Sequence, residues 1–163
     1  TRCGTIDPSI IEYVCKQSGM TVSEVNDALN KKSGLLGVSG VSNDARYVWA
    51  AANEGNERAA LAMQLLVHQA KKIIGSFVAE MNGVDVLIFT AGLGENDARS
   101  RQLIGDNMEF FGIKFDKAAN DAAPHVSENT KISADDSAVA VYVLPTNEEL
   151  VIARDTLEIV SKL

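Results

Sequence analysis

Four places in the 163-residue sequence put reactive side chains or bare backbone beside a turn into a helix. The first is Ala91-Gly-Leu-Gly-Glu-Asn96, which follows the apolar run Val84-Asp-Val-Leu-Ile-Phe-Thr90. Gly92 and Gly94 leave backbone that a phosphate or an adenosine can approach closely, and a helix start aims N–H groups at an anion. The same two glycines also suit a plain tight connection with no ligand. Two sharper labels fail. Asp97 stands where a dinucleotide fingerprint needs its third glycine, and the Gly-Lys-Ser/Thr of a Walker A loop is absent.

The second place is Thr146-Asn-Glu-Glu149, at the end of another apolar run. Thr146 and Glu149 have the spacing of a capping box, and carboxylates in a first helical turn suit the helix dipole. The alternative is that a glutamate faces a cleft and holds Mg²⁺ directly or through water. The third, Ser42-Asn-Asp-Ala-Arg46, combines helix caps with an aspartate and an arginine that can contact a nucleotide, or that simply open a helix. The fourth is Arg2, beside Cys3 and Gly4, whose planar guanidinium fits a phosphoryl group. His68 sits among apolar helix residues, and His125 has no Asp, Cys or second His at useful spacing, so no Ser-His-Asp or Cys-His set exists.

These residues need elements to carry them. Asp7-Pro8 reads as an N-cap with proline at the first helical position. Thr21 and Glu24 form a capping box for a second helix that ends near Lys31 to Gly34. Three glycines in residues 34–40 predict an irregular connection, and residues 42–44 offer caps for a short helix through Tyr47, Val48 and Ala51. A long helix with a broad apolar face runs from Asn56 and is ended by Asn82-Gly83. Residues 84–90 and 138–144 read as buried strands, each feeding a helix; the first of those helices runs through Leu103, Ile104 and Phe110. Residues 116–136 read as mostly loop. The pattern is a helix-rich α/β domain with few strands.

Composition narrows the partners. Hydrophobic residues make up 46% and charged residues 23%, an ordinary globular balance. A net charge of −7 argues against a nucleic-acid surface, which needs clustered Lys and Arg, but leaves room for a small anion held by a few local cations. No apolar run approaches the about 20 residues that span a bilayer, and no secretory signal opens the chain. Cys3 and Cys15 have no metal-ligand spacing and form no disulfide framework. A cytoplasmic protein with free thiols, making no membrane contact, is expected.

Taken together, the segments resemble the acetate kinase (acetokinase) family over essentially the whole chain. Thr1-Arg-Cys-Gly-Thr-Ile-Asp-Pro8 is similar to the family's Thr-Arg-Ser-Gly-Asp-x-Asp-Pro segment. Lys32-Ser-Gly-Leu-Leu-Gly37, with the Asp-x-Arg that ends at Arg46, follows its next motif. Phe89-Thr-Ala-Gly-Leu-Gly-Glu-Asn96 resembles its Phe-Thr-Ala-Gly-Ile-Gly-Glu-Asn signature, and Pro145-Thr-Asn-Glu-Glu resembles the start of its closing motif.

The resemblance implies an actin-like ATPase fold (sugar kinase, Hsp70 and actin, ribonuclease H-like). Residues 1–163 would be its C-terminal nucleotide-binding and dimerisation domain, with the N-terminal domain absent. It implies reversible, Mg²⁺-dependent transfer of the ATP γ-phosphoryl group to acetate, giving acetyl phosphate and ADP, in a homodimer. By position, Arg2 matches the arginine that stabilises the transferring phosphoryl group. Asp44, Ala45 and Arg46 match the adenosine-contacting segment; Gly92, Leu93, Gly94, Glu95 and Asn96 match the second nucleotide loop. Glu148 matches the magnesium-associated glutamate, with Glu149 the alternative. Cys3 and Thr5 depart from the usual Ser and Asp near the arginine, and Ala45 gives adenine less surface to stack on than the larger residue often found there. A propionate or other short-chain carboxylate kinase of the same family, or a stand-alone nucleotide-binding and dimerisation module, fits the same motifs.

Overall fold

Helices dominate, several opened by a side-chain cap and others closed by a glycine in the left-handed region. The computed structural model describes residues 1–162, with Glu148 described through its backbone alone. Two compact units divide the chain, Thr1–Ile73 and Ile74–Leu163. No helix among the described residues is long and apolar enough to cross a membrane.

The first unit holds α1 (Ser9–Ser18), α2 (Val22–Lys31), α3 (Gly34–Ser39), α4 (Ala45–Asn53) and the first part of α5 (Glu57–Met81). The capping box of α2 forms as its sequence predicts: the Thr21 hydroxyl accepts the Glu24 N–H, and the Glu24 carboxylate accepts the Thr21 N–H. Helix α1 starts one residue later than expected. Pro8 takes the cap position, while the Asp7 carboxylate accepts the Ser9 N–H and hydroxyl at 2.8 and 2.6 Å.

Residues 34–40 correct the sequence reading, since six of them form α3 rather than an irregular turn. Leu35 and Val38, three apart on one helical face, pack against the buried cluster of Val48, Ala59, Ala62 and Met63. That burial outweighs the about 1 kcal/mol that each mid-helix glycine costs. At Gly37 a Cβ would lie 2.7 Å from the Lys32 carbonyl oxygen, so glycine is also required by space. Asn56 starts α5 by accepting the Ala59 N–H at 3.0 Å. Asn82 and Gly83, both at positive φ, end it.

The second unit holds the rest of α5, then β1 (Val86–Phe89), α6 (Ala91–Asn96), α7 (Ala98–Gly105), a 3₁₀ turn (Glu109–Phe111), α8 (Lys117–Asp121), β2 (Thr130–Lys131), β3 (Ala140–Val143) and α9 (Glu148–Val160). The sheet order is β1-β3-β2. β1 and β3 run parallel with Val86 opposite Ala140 and Phe89 opposite Val143, and β2 pairs antiparallel to β3. Val141 and Val143 are fully buried, as expected of a central strand. β1 is not buried on both faces as its apolar run predicts. It lies at one edge of the sheet, and Val86 and Ile88 are 46% and 50% exposed.

The helix predicted through Phe110 stops at Gly105, and Phe110 stands in the 3₁₀ turn, 94% exposed. Gly105 explains the stop's packing: a Cβ there would meet the Phe115 ring at 2.1 Å. Within the expected loop 116–136, Asp116 caps α8 through the Ala119 N–H at 3.0 Å, and β2 adds to the sheet.

Candidate active site

The carboxyl ends of β1 and β3 lie side by side. The Leu144 N–H donates to the Phe89 carbonyl at 2.9 Å, and the Thr90 hydroxyl donates to the Leu144 carbonyl at 3.0 Å. Ligands of open α/β sheets sit outside the carboxyl ends of the strands. Both predicted segments of this unit start here, one leading into α6 and the other into α9.

Residues 91–96 form a short helix instead of the expected open turn, entered through Ala91 at φ 58°. The left-handed region is unusual for a residue with a Cβ and marks a forced local geometry. The two glycines of the segment differ in what surrounds them. At Gly94 a Cβ would lie 3.0 Å from the Phe89 carbonyl carbon, so this glycine seats α6 on its own strand. At Gly92 nothing lies within 4 Å of such a Cβ, and the backbone there faces open space. Leu93 is 37% exposed. Asn96 turns its side-chain amide inward to the Gly92 carbonyl at 2.9 Å.

Glu95 joins the two segments. Its carboxylate accepts the Thr146 N–H at 2.9 Å and the Thr146 hydroxyl at 2.7 Å. The Thr146 hydroxyl and N–H, with a smaller contribution from the Ala91 N–H, hold this carboxyl below the usual glutamate range. Thr146 is thereby withdrawn from the capping box predicted for it. Asn147 caps α9 instead, accepting the Leu150 N–H at 2.9 Å, because the Thr146 hydroxyl is committed to Glu95. Glu148 is the first residue of α9, and its side chain lies outside the described residues. Glu149 is exposed. Among the described residues no group of three His, Cys, Asp or Glu side chains converges on a metal site. Mg²⁺ needs no such cage, since one or two carboxylates and substrate phosphates commonly hold it.

Arg101 is the residue that sequence reading missed. It is 1% exposed, and all five N–H donors are used. Nε donates to Asn120 Oδ1 (2.8 Å), Nη1 to the Gly94 and Glu95 carbonyls (2.8 and 2.9 Å), and Nη2 to the Asn120 and Ala123 carbonyls (both 2.9 Å). Burial pulls its pKa down, and the charges of Asp97 and Asp121 oppose that shift. Its one sequence signal is position: Arg101 stands three residues before buried Ile104 on α7, whereas Arg99 stands on the exposed side.

In the first unit Arg2 is exposed and lines a cleft of about 840 Å³, with Gly34, Leu35 and Val38 of α3 and Leu65, Leu66 and Gln69 of α5 on its walls. Backbone bonds pin the segment on both sides of Arg2. The Ser33 N–H donates to the Thr1 carbonyl and the Cys3 N–H donates to the Leu29 carbonyl, each at 2.8 Å. Gly34, at φ 60°, makes room for it, since a Cβ there would lie 2.7 Å from the Arg2 carbonyl oxygen.

Asp44 caps α4 as predicted, accepting the Arg46 N–H at 2.9 Å, and pairs with the Arg46 guanidinium at 2.6–3.2 Å. The Arg46 side chain, then its N–H, lowers the Asp44 pKa to about 2. The Arg46 side chain is 86% exposed. Ala45 opens the helix beside them and packs against the buried cluster of this unit. Cys3 and Cys15 are free thiols.

The sequence model of the acetokinase family matches residues 1–154. The chain belongs to the acetokinase family. It is 48% identical over 160 residues to an acetate kinase of Halothermothrix orenii, covering 98% of this chain and 39% of that protein. It is 49% identical over 162 residues to acetate kinase 2 of Clostridium perfringens, covering 99% and 40% respectively. Among solved structures, the Porphyromonas gingivalis acetate kinase superposes with a TM-score of 0.89 at 43% identity, over 98% of this chain and 40% of that one. A propionate kinase from Francisella tularensis gives 0.84 at 40% identity, over 94% and 38%. The chain therefore has the fold of this family of actin-like ATPases, rich in helix with a small sheet, and spans about two fifths of its relatives' length.

Proposed function

We propose that this chain is the C-terminal nucleotide-binding part of an acetate kinase, which transfers the ATP γ-phosphoryl group reversibly to acetate. In that reaction a carboxylate oxygen attacks the γ-phosphorus, a C(O)–O–P bond forms, and the bridging bond to ADP breaks. The observation that carries the proposal is the open backbone at Gly92, set where the carboxyl ends of two parallel strands meet. Residues 92–96 receive phosphate there, Asp44, Ala45 and Arg46 receive adenosine, and Arg2 offers its fork of donors to the phosphoryl group in transit. Glu148, with Glu149 the alternative, would hold Mg²⁺, which would neutralise charge on the phosphate oxygens. Acetate is the acceptor in this reading because the curated relatives at 48–49% identity are named acetate kinases.

Exposed apolar side chains along α5, including Leu61, Leu65, Phe77 and Met81, support association as a homodimer. A cytoplasmic location accords with free thiols and with the metabolites involved. The 163-residue chain alone is expected to bind ADP without turnover, because phosphoryl transfer draws on groups from both sides of a cleft and this chain spans two fifths of its relatives. Gly92→Val tests the nucleotide assignment by calorimetry. Its side chain enters space that is open in the fold, so folding persists while ADP affinity is lost. Equal ADP affinity in variant and parent removes this loop from the site.

A further inference from the structure

Glu95 has the position of a nucleotide-contacting residue, yet its carboxylate is engaged elsewhere. One oxygen takes both donors of Thr146, at 2.9 and 2.7 Å, across 51 residues of sequence. Behind it, Arg101 takes the carbonyls of Gly94 and of Glu95 itself, at 2.8 and 2.9 Å, and is in turn bound to Asn120 and Ala123. The backbone of Glu95 is thus fixed from the buried side while its carboxylate reaches forward to the turn that starts α9. Ala91, at φ 58°, lies one helical turn before Glu95, at the entry to the same helix.

We propose that Glu95 is a positioning residue: a clasp that holds the open backbone at Gly92 in register with the Thr146–Asn147 turn, so that one bound nucleotide meets both. This rests on the nucleotide reading of residues 92–96 given above. A carboxylate already accepting two hydrogen bonds, and negatively charged, is a poor direct partner for a polyphosphate and a good one for N–H and O–H donors. Its effect on affinity passes through Thr146, and the two residues act as a unit.

Calorimetry of ADP binding and urea unfolding of the 163-residue chain test this with Glu95→Ala, Thr146→Val, the double variant and Thr146→Ser. Loss of both hydrogen bonds to the carboxylate predicts about tenfold weaker ADP binding in Glu95→Ala, and Thr146→Val, which keeps the backbone N–H bond, predicts a smaller loss of about threefold. The double variant should be no weaker than the worse single one, because the second change removes nothing further. Thr146→Ser keeps the hydroxyl and should restore affinity to within about twofold of the parent. Additive losses, or a loss in Glu95→Ala with none in Thr146→Val, overturn the clasp and make Glu95 a direct contact. Affinity that falls only in step with the unfolding midpoint also overturns it, by reducing Glu95 to a folding role. No ADP binding by the unsubstituted chain removes the nucleotide reading itself and the clasp with it; binding by the parent with additive losses removes the clasp alone.

Discussion

Gly34→Ala should dislodge Arg2 without touching it. Gly34 sits at φ 60°, where a residue with a Cβ pays about 1–2 kcal/mol. The added Cβ would also lie 2.7 Å from the Arg2 carbonyl oxygen and 3.3 Å from the Thr1 nitrogen, both backbone atoms with no rotamer to escape through. Relief requires the Thr1–Cys3 strand of chain to move off α2, stretching the bonds from Ser33 N–H to Thr1 and from Cys3 N–H to Leu29. Each is worth about 1 kcal/mol, so the total cost is about 3–4 kcal/mol. Gly19→Ala supplies the control. Gly19 has φ 71° but nothing within 4 Å of its added Cβ, so it carries the left-handed strain alone. The single tryptophan of the chain, Trp49, packs against the buried cluster of the same unit and reports its unfolding by fluorescence. With urea slopes of about 1–3 kcal/mol/M, the extra cost of about 2 kcal/mol in Gly34→Ala appears as a midpoint lower than that of Gly19→Ala by about 0.7–2 M. In an active enzyme carrying this chain, Gly34→Ala should also reduce kcat more than Gly19→Ala. Equal midpoints for the two variants would refute the coupling between Gly34 and Arg2.

Two further outcomes follow from the same geometry. Gly105→Ala gains about 1 kcal/mol of helix propensity but drives a Cβ to 2.1 Å from the Phe115 ring, which packs edge-on to Phe89 at 6.0 Å. Overpacking of about 1–3 kcal/mol should prevail, and circular-dichroism unfolding at unchanged or raised stability would count against that packing. In an active enzyme, Arg2→Ala and Arg2→Lys should both lower kcat by about 10³-fold while KM for ATP changes little, since a lysine cannot reproduce the planar fork. A raised KM with near-normal kcat would instead make Arg2 a ground-state anchor.

Local chemistry made much of the fold legible. Thr21 with Glu24, Asp44 and Asn56 each announce a helix start, and each serves as its cap, because a cap is satisfied within three or four residues of sequence. Thr146 shows where that logic ends. Its spacing to Glu149 is as good as that of Thr21 to Glu24, yet a carboxylate 51 residues away takes its hydroxyl. Arg101 is hidden for the same reason: nothing near it in sequence says that a cation will be buried, and its carbonyl partners come from α6 and from the end of α8. The apolar run of β1 predicts a strand correctly but not its exposure, which depends on the strand's place at the edge of the sheet.

The glycines carry this furthest. Gly92 and Gly94 differ by two positions in one motif, and both the ligand-approach and the tight-connection explanations fitted them in sequence. The packing accounts for one of them and leaves the proposed ligand role to the other. Gly94 presses against the Phe89 backbone, so its missing side chain lets α6 fold back onto β1. Gly92 presses against nothing, and a bare backbone that the fold does not require is free to serve a ligand. The distinction has an observable form: a side chain at Gly94 should cost stability first, and one at Gly92 should cost binding while stability holds. In the proposed clasp Arg101 and Glu95 act at the same end of this short helix, beyond the bare glycine: Arg101 holds the Gly94 and Glu95 carbonyls from the buried side, and the Glu95 carboxylate reaches Thr146.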